Sequence, residues 1–333
     1  MSAIEVTDLH RSYTLRRGRF RKTKHVIPAV RGISFHVEEG ELLGVVGPNG
    51  AGKTTTIKIL STLLLPDSGT VRILGRDVVS EAAKVRREIG FLFGGERGLY
   101  GRVSAWANLR YFANLYGMPT SESSKRIDEL LELVGLADRA RDRVDTFSRG
   151  MKQRLHIARA LIHDPKVLYV DEPTIGLDPV VAREVRSLIS DLSVRGKTIL
   201  LTTHYMFEAE ELCHRVAVIN HGRIVACDTP AQLRHLATDL HVVEVELTRP
   251  SPTALEQLRS LGNGSAVLGV EETEGRPIVR LQSPHGRELV QELPDLLGES
   301  SVQSVLLREP TLEDVYVKLI GDSSEEAQEA VWS

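Results

Sequence analysis

The stretch Gly47-Pro48-Asn49-Gly50-Ala51-Gly52-Lys53-Thr54-Thr55 limits what this chain can fold into more than any other part of it. It matches G-x-x-x-x-G-K-[ST], a pattern that has mechanical meaning only when a strand runs into it and a helix runs out. Both flanks are present. Leu42-Leu43-Gly44-Val45-Val46 is short, apolar and β-branched at its end, as a buried strand should be, and Thr54 to Leu65 places Ile57, Leu60 and Leu64 at helical spacing. Gly47, Gly50 and Gly52 let backbone N–H groups turn toward phosphate oxygens, where a side chain would block them or forbid the φ required. Lys53 supplies a cation for β- and γ-phosphates, Thr54 a hydroxyl for Mg2+, and the positive end of the helix faces the anion. The segment reads as a nucleoside triphosphate site.

Two further strand ends carry chemistry. Val167-Leu168-Tyr169-Val170-Asp171-Glu172-Pro173 is an apolar run that finishes in two carboxylates, and Thr198-Ile199-Leu200-Leu201-Thr202-Thr203 is a strand that finishes in His204. In open α/β sheets ligands sit outside the carboxyl ends of the strands, so Asp171, Glu172 and His204 belong to the edge from which the phosphate loop emerges. There Asp171 suits Mg2+, Glu172 suits polarisation of an attacking water, and His204 suits a contact to the γ-phosphate.

The rest of the chain is read around that edge. Residues 4–13 and 32–37 are strands preceding the loop, and between them residues 16–24 carry six Lys or Arg in nine positions before His25. That basic run 16–25 is expected to be a solvated loop, with contact to anionic lipid headgroups as the alternative. Ala105 to about Leu161 is mostly helical, with Ile127, Leu130, Leu131 and Val134 on one face. Val216 to Ala226 is a hairpin with a glycine turn, and Thr229-Pro230 opens a helix. Strand and helix alternate again over 241–320, as in a small α+β domain, and the acidic residues 322–333 are expected to form a disordered tail. A hydrophobic content of 41% suffices for real cores, and a net charge of −3 argues against a duplex nucleic-acid binder. Cys213 and Cys227 have no metal-ligand spacing and are too few for a disulfide framework, which favours a reducing compartment. No run approaches the roughly 18 apolar residues of a membrane span, so the chain is expected to be cytoplasmic.

At this point the residues resemble a family. Phe147-Ser148-Arg149-Gly150-Met151-Lys152-Gln153-Arg154 looks like the ABC signature, and it precedes the Asp171-Glu172 strand as in ABC ATPases. Together with Thr174-Ile175-Gly176-Leu177-Asp178-Pro179 and the ending Glu309-Pro310-Thr311-Leu312-Glu313-Asp314-Val315-Tyr316, it resembles ATP-binding subunits of daunorubicin-resistance-type exporters, over residues 1 to about 321. The resemblance implies an α/β fold: a P-loop NTPase core with an antiparallel β subdomain and a helical insert near 96–161, all within 1–238, plus the α+β accessory domain. It implies that Tyr13 stacks on adenine and that Asp178 is the D-loop acid. Glu172, His204 and Lys53 become the catalytic set, and Asp171 and Thr54 the metal contacts. Ser148 and Gly150 match residues that close over the γ-phosphate held by an opposite protomer, so two chains sandwich two Mg-ATP head to tail.

Partners follow from the same resemblance. A separate membrane-spanning permease is expected, with peripheral attachment at the cytoplasmic face of the membrane, no nucleic acid, and Leu99, Tyr100 and Trp106 as contacts to a permease helix or as ordinary core. The alternative is a soluble ABC ATPase acting on ribosomes or DNA. Two departures stand out: the signature's first glycine is Arg149 and its glutamine is Met151, and the expected Q-loop glutamine is replaced by Gly94-Gly95-Glu96, where Glu96 takes its place as a magnesium or water contact or, the favoured reading, the segment serves as a flexible coupling hinge.

Overall fold

The computed structural model describes residues 2–17, 23–92, 98–236, 241–249, 252–261, 265–273, 276–298 and 301–329, with side chains at 15–17, 23–25, 266, 268–269, 271–273 and 321–329 outside that description. The chain divides into two compact units, Met1–Cys227 and Asp228–Ser333. Gly94-Gly95-Glu96 and residues 330–333 of the expected tail lie outside the described residues.

In the first unit β1 (Ser2–Arg17) and β2 (Thr23–Glu38) pair antiparallel, from Ser2↔Glu38 out to Arg17↔Thr23. The backbone on both flanks of the basic run 16–25 is therefore strand rather than loop, because pairing of N–H and C=O groups continues where no core is required of the side chains. Residues 18–22 lie outside the described residues. β3 (Leu42–Val46) is buried throughout and leads through the phosphate loop into α1 (Lys53–Leu60). The helix stops short of the expected Leu65. Thr62 takes a left-handed φ of 62°, and the N–H groups of Leu63 and Thr62 reach back to the carbonyls of Lys58 and Ile59, a Schellman ending formed with threonine where glycine is usual. β4 (Ser68–Ile73) and β5 (Arg76–Asp77) complete an antiparallel sheet in the order β2-β1-β4-β5.

After α2 (Ala82–Glu88) and β6 (Ile89–Leu92), the helical insert contains α3 (Ala105–Leu115), α4 (Thr120–Leu133) and α5 (Arg149–Ala160). The chain then alternates through β7 (Val167–Asp171), α6 (Pro179–Val194), β8 (Thr198–Thr203), α7 (Met206–Leu212), β9 (Arg215–Asn220) and β10 (Arg223–Asp228). These strands form a six-stranded sheet, β10-β9-β3-β8-β7-β6, whose β9-β3-β8-β7-β6 part is parallel. His221 and Gly222, at φ 46° and 78°, make the two-residue turn between β9 and β10, with the left-handed pair that matches strand twist. One core joins both sheets: Ile4, Val6, Leu9, Ile33 and Val37 pack with Leu43, Val45, Ile57, Leu60 and Tyr169.

The second unit opens with α8 (Pro230–His235), capped by the Thr229 hydroxyl, which accepts from Gln232 N. It continues through β11 (His241–Leu247), α9 (Pro252–Arg259), β12 (Ala266–Thr273), β13 (Arg276–Ser283), α10 (Gly286–Leu297), β14 (Val302–Arg308) and α11 (Leu312–Glu329). The helical backbone of α11 thus enters the stretch expected to be a disordered tail. The order β12-β13-β11-β14 with βαββαβ connectivity is ferredoxin-like. Val243, Val245, Leu247, Val279 and Leu281 alternate onto one face, which Leu258, Leu289, Leu293 and Leu297 of α9 and α10 cover. No helix among the described residues is long and apolar enough to cross a membrane.

Candidate nucleotide site

The register of the parallel sheet fixes where the sequence-selected residues stand. Val46 pairs with Thr203 and Asp171 with Thr202, so the phosphate loop, Glu172 and His204 leave adjacent strands β3, β7 and β8 at the same carboxyl edge. Strand pairing brings together residues more than a hundred positions apart in sequence.

The loop is held against its neighbours by backbone. A Cβ on Gly47 would stand 2.2 Å from the Ile219 carbonyl oxygen, and one on Gly52, at φ 110°, 2.4 Å from that of Ala29. These approaches require glycine, and they fix the loop on β9 and β2. Pro48, Asn49, Gly50 and Ala51 form the turn itself, closed by Ala51 N donating to Pro48 O at 3.2 Å. Lys53 is buried, and its Nζ donates to the carbonyls of Gly47 at 2.5 Å and Pro48 at 3.2 Å, which places the ammonium inside the loop. Burial lowers its pKa, and the charges of Glu172 and then Asp171 act in the opposite direction. Thr54 is exposed in the first turn of α1, while Thr55 Oγ1 lies 3.4 Å from the hydroxyl of Tyr13. The Tyr13 ring is partly exposed, with the Arg11 guanidinium 5.6 Å from its centroid.

The two carboxylates differ in setting. Burial raises the Asp171 pKa; the Thr202 hydroxyl, which donates to Asp171 Oδ1, opposes the shift, and the charge of Glu172 reinforces it. Glu172 adopts φ 46°, a left-handed conformation that costs a non-glycine residue roughly 1 kcal/mol. Its N–H is pinned to the Thr202 carbonyl at 2.9 Å. That backbone twist turns the side chain out of the strand, and Glu172 Oε1 stands 3.3 Å from His204 Nδ1. The strand-end readings of Asp171, Glu172 and His204 thus converge on one cluster facing Lys53.

The signature residues stand elsewhere. Ser148 caps α5, its Oγ accepting from Met151 N at 3.2 Å, and Asp178 caps α6, accepting from Val180 N and Val181 N. Gly150 is buried against Val181, where a Cβ would meet Val181 Cγ1 at 2.3 Å. Arg149 donates to the Gly176 carbonyl at 2.9 Å, so the residue that departs from the family pattern ties the signature to the loop before Asp178. Ser148, Gly150 and Asp178 are thus linked to one another through α5 and α6. Sequence reading missed Thr202, Thr203 and Glu208, all buried beside the strand ends. The signal available was a pair of threonines closing a strand whose middle, Ile199-Leu200-Leu201, is apolar.

Such an edge is that of a P-loop ATPase, and comparison with known proteins narrows the class. The sequence profile of the family described as ABC transporter matches residues 30–175. The linearmycin resistance ATP-binding protein LnrL of Bacillus subtilis (strain 168) is 36% identical over 297 residues, covering 88% of this chain and 93% of its own. The daunorubicin resistance ATP-binding protein DrrA3 of Streptomyces coeruleorubidus is 38% identical over 299 residues, covering 88% and 92%. Among solved structures, the dimeric post-hydrolysis state of the ATP-binding cassette MJ0796 bound to ADP and Pi superposes with a TM-score of 0.60 at 27% identity, covering 68% of this chain and 98% of that one. This chain belongs to the ABC transporter family, as an ATP-binding protein and an ATPase.

Proposed function

We propose that the chain is the ATP-hydrolysing subunit of an ABC exporter, working as a homodimer that closes around two Mg-ATP and drives a separate membrane-spanning permease. The observation that carries this is the division of labour in one chain: Lys53, Asp171, Glu172 and His204 share a sheet edge, whereas Ser148 and Gly150 are committed to α5 and α6. A second copy then supplies Ser148 and Gly150 across the γ-phosphate. The resistance proteins among the relatives support export, and the dimeric cassette among the solved structures supports the pairing.

In this reading the backbone N–H groups of residues 49–55 and the Lys53 ammonium offset the charge of the β- and γ-phosphates, and Tyr13 stacks on adenine. Mg2+, when bound, neutralises charge on those phosphates. Its donors here are the Thr54 hydroxyl and the Asp171 carboxylate, an oxygen set suited to a hard cation that keeps substrate phosphates as ligands. No group of three His, Cys, Asp or Glu side chains that could hold a metal by itself occurs among the described residues. Glu172 accepts a hydrogen bond from the attacking water and draws off its proton as the oxygen approaches phosphorus. His204 holds Glu172 from one side and the γ-phosphate from the other, and Asp178 fixes the start of α6 at the dimer seam.

The permease holds the chain at the cytoplasmic face of the membrane. Tyr100 and Tyr111, exposed on the helical insert with ring centroids 4.9 Å apart, offer an apolar surface for one of its helices. Trp106 is more committed to the insert itself, donating to Asp128 at 3.0 Å under the guanidinium groups of Arg110 and Arg141. Solubilising the membranes and purifying the tagged chain tests the reading: a multi-span protein that co-purifies and stimulates ATP hydrolysis is expected. Recovery with ribosomes or DNA in a salt-sensitive manner would favour the soluble alternative.

A further inference from the structure

Between the strand ends of the nucleotide site lies a carboxylate to which hydrolysis gives no role. Glu208 is on the first turn of α7, four residues beyond His204, and is 1% exposed. A carboxylate buried this far costs several kcal/mol unless it is met by donors. Glu208 is met by two hydroxyl donors and one nearby cation. The Thr174 hydroxyl donates to Oε1, the Thr203 hydroxyl donates to Oε2 at 2.7 Å, and Arg186 Nη1 lies 3.8 Å from Oε1.

The origin of the donors is the informative point. Thr174 is two residues beyond Glu172, on the loop that continues to Asp178, and is itself buried. Thr203 immediately precedes His204, and its hydroxyl oxygen also accepts Tyr205 N at 3.0 Å, so the backbone on both sides of His204 is tied to Glu208. One carboxylate therefore clamps the two loops whose side chains, Glu172 and His204, stand 3.3 Å apart. Arg186 is shared with Glu211 at 2.8 Å and anchors the clamp to α6.

We propose that Glu208 is a positioning residue that sets the distance between Glu172 and His204 and carries movement of the Thr174–Asp178 loop to the histidine. The proposal rests on the reading of Glu172 and His204 as the hydrolytic pair. Two carboxylate oxygens are used because the two hydroxyls approach from different loops, Thr174 on Oε1 and Thr203 on Oε2.

The test is steady-state ATP hydrolysis by the full chain with Thr174→Val, which removes one donor and leaves Glu208, Thr203 and Arg186 in place, and with Thr174→Ser, which restores it. Thr174→Val is expected to lower kcat ~10- to 100-fold with KM for ATP within about twofold, since a small misplacement of catalytic groups costs on that scale. Thr174→Ser should recover kcat to within about twofold of the unaltered chain. Glu208→Gln, which keeps the shape and one acceptor, should show the same kcat loss with unchanged KM and serves where Thr174→Val does not fold. Unchanged turnover in both Thr174→Val and Glu208→Gln, or a kcat loss that serine does not recover, would overturn the proposal. Glu172→Gln in the same assay separates the two levels. If it turns over normally, the reading of the site fails; if it is inactive while both clamp variants are normal, only the role of Glu208 fails.

Discussion

Asp171 and Asp314 are both aspartates largely withdrawn from water, and burial pushes both pKa values up, yet the net shifts run in opposite directions. At Asp314 burial is outweighed by the Arg308 guanidinium, which binds it through two nitrogens at 2.6 and 3.1 Å, and by the N–H and hydroxyl of Thr311; the pKa falls. At Asp171 burial wins, reinforced by the charge of Glu172, against the Thr202 hydroxyl and the charges of Lys53 and Lys58, and the pKa rises. The second unit repeats its solution along a sheet face, where Glu244 pairs with Arg280 and Arg308 and Glu246 with Arg276. Charges there are spent on one another. At the sheet edge of the first unit, the charges of Asp171, Glu172 and Lys53 act on one another, and in the proposed reading a cation and phosphates complete the balance.

The contrast predicts a descending series of effects. Lys53→Ala should abolish ATP binding, read by nucleotide titration; retained affinity would mean the first unit's charges are as self-sufficient as the second's. Glu172→Gln should leave ATP binding intact while slowing hydrolysis by at least ~100-fold in single turnovers. In the second unit Arg308→Ala should leave Glu244 with Arg280 alone and Asp314 with Thr311 alone, and cost about 1–3 kcal/mol by denaturant unfolding, with the partial exposure of the pairs keeping it below a fully buried ion pair. ATP turnover by the isolated full chain should stay within about twofold, since truncated ion pairs away from the chemistry alter stability first.

A smaller effect comes from His156 in the helical insert, whose ring nitrogens are both buried without hydrogen-bond partners. Burial first, and the charge of Arg159 second, depress its pKa from 6.5 to about 3. The fold holds the neutral ring, so the protein keeps this contribution above pH 6.5 and loses it as pH falls from there toward 3. The slope from this group is at most about 1.4 kcal/mol per pH unit. His156→Leu should flatten the acid limb of a stability–pH profile, and an unchanged limb would show that other groups govern it.

How much of this was legible follows from the same distinction. The phosphate loop and the acids closing β7 could be read because each residue type answers a local demand: glycine for close backbone approach, an apolar run for a buried strand, carboxylates at its end. The helix after the loop was overextended because its terminator, Thr62, takes a left-handed φ that threonine does not advertise. Strand β14 was missed because its partner β11 lies far earlier in the sequence, whereas β12 pairs with its immediate neighbour β13 and was missed because Ala266-Val267-Leu268-Gly269-Val270-Glu271-Glu272-Thr273 lacks a clean apolar–polar alternation. Glu208 was invisible for a related reason: a glutamate on an amphipathic helix reads as solvated until strand pairing brings Thr174 and Thr203 against it. The left-handed turn at Glu172, which aims the carboxylate at His204, also comes from the pairing of its N–H with Thr202 rather than from its own preference.

The central claim is that one chain holds half of each ATP site. It is tested most directly by the mass in solution of the Glu172→Gln full chain at saturating Mg-ATP, measured by sedimentation with the bound nucleotide counted. The account predicts a dimer carrying two ATP molecules, which returns to monomer when Ser148 is also replaced by a bulky residue. A monomer with ATP bound would contradict it.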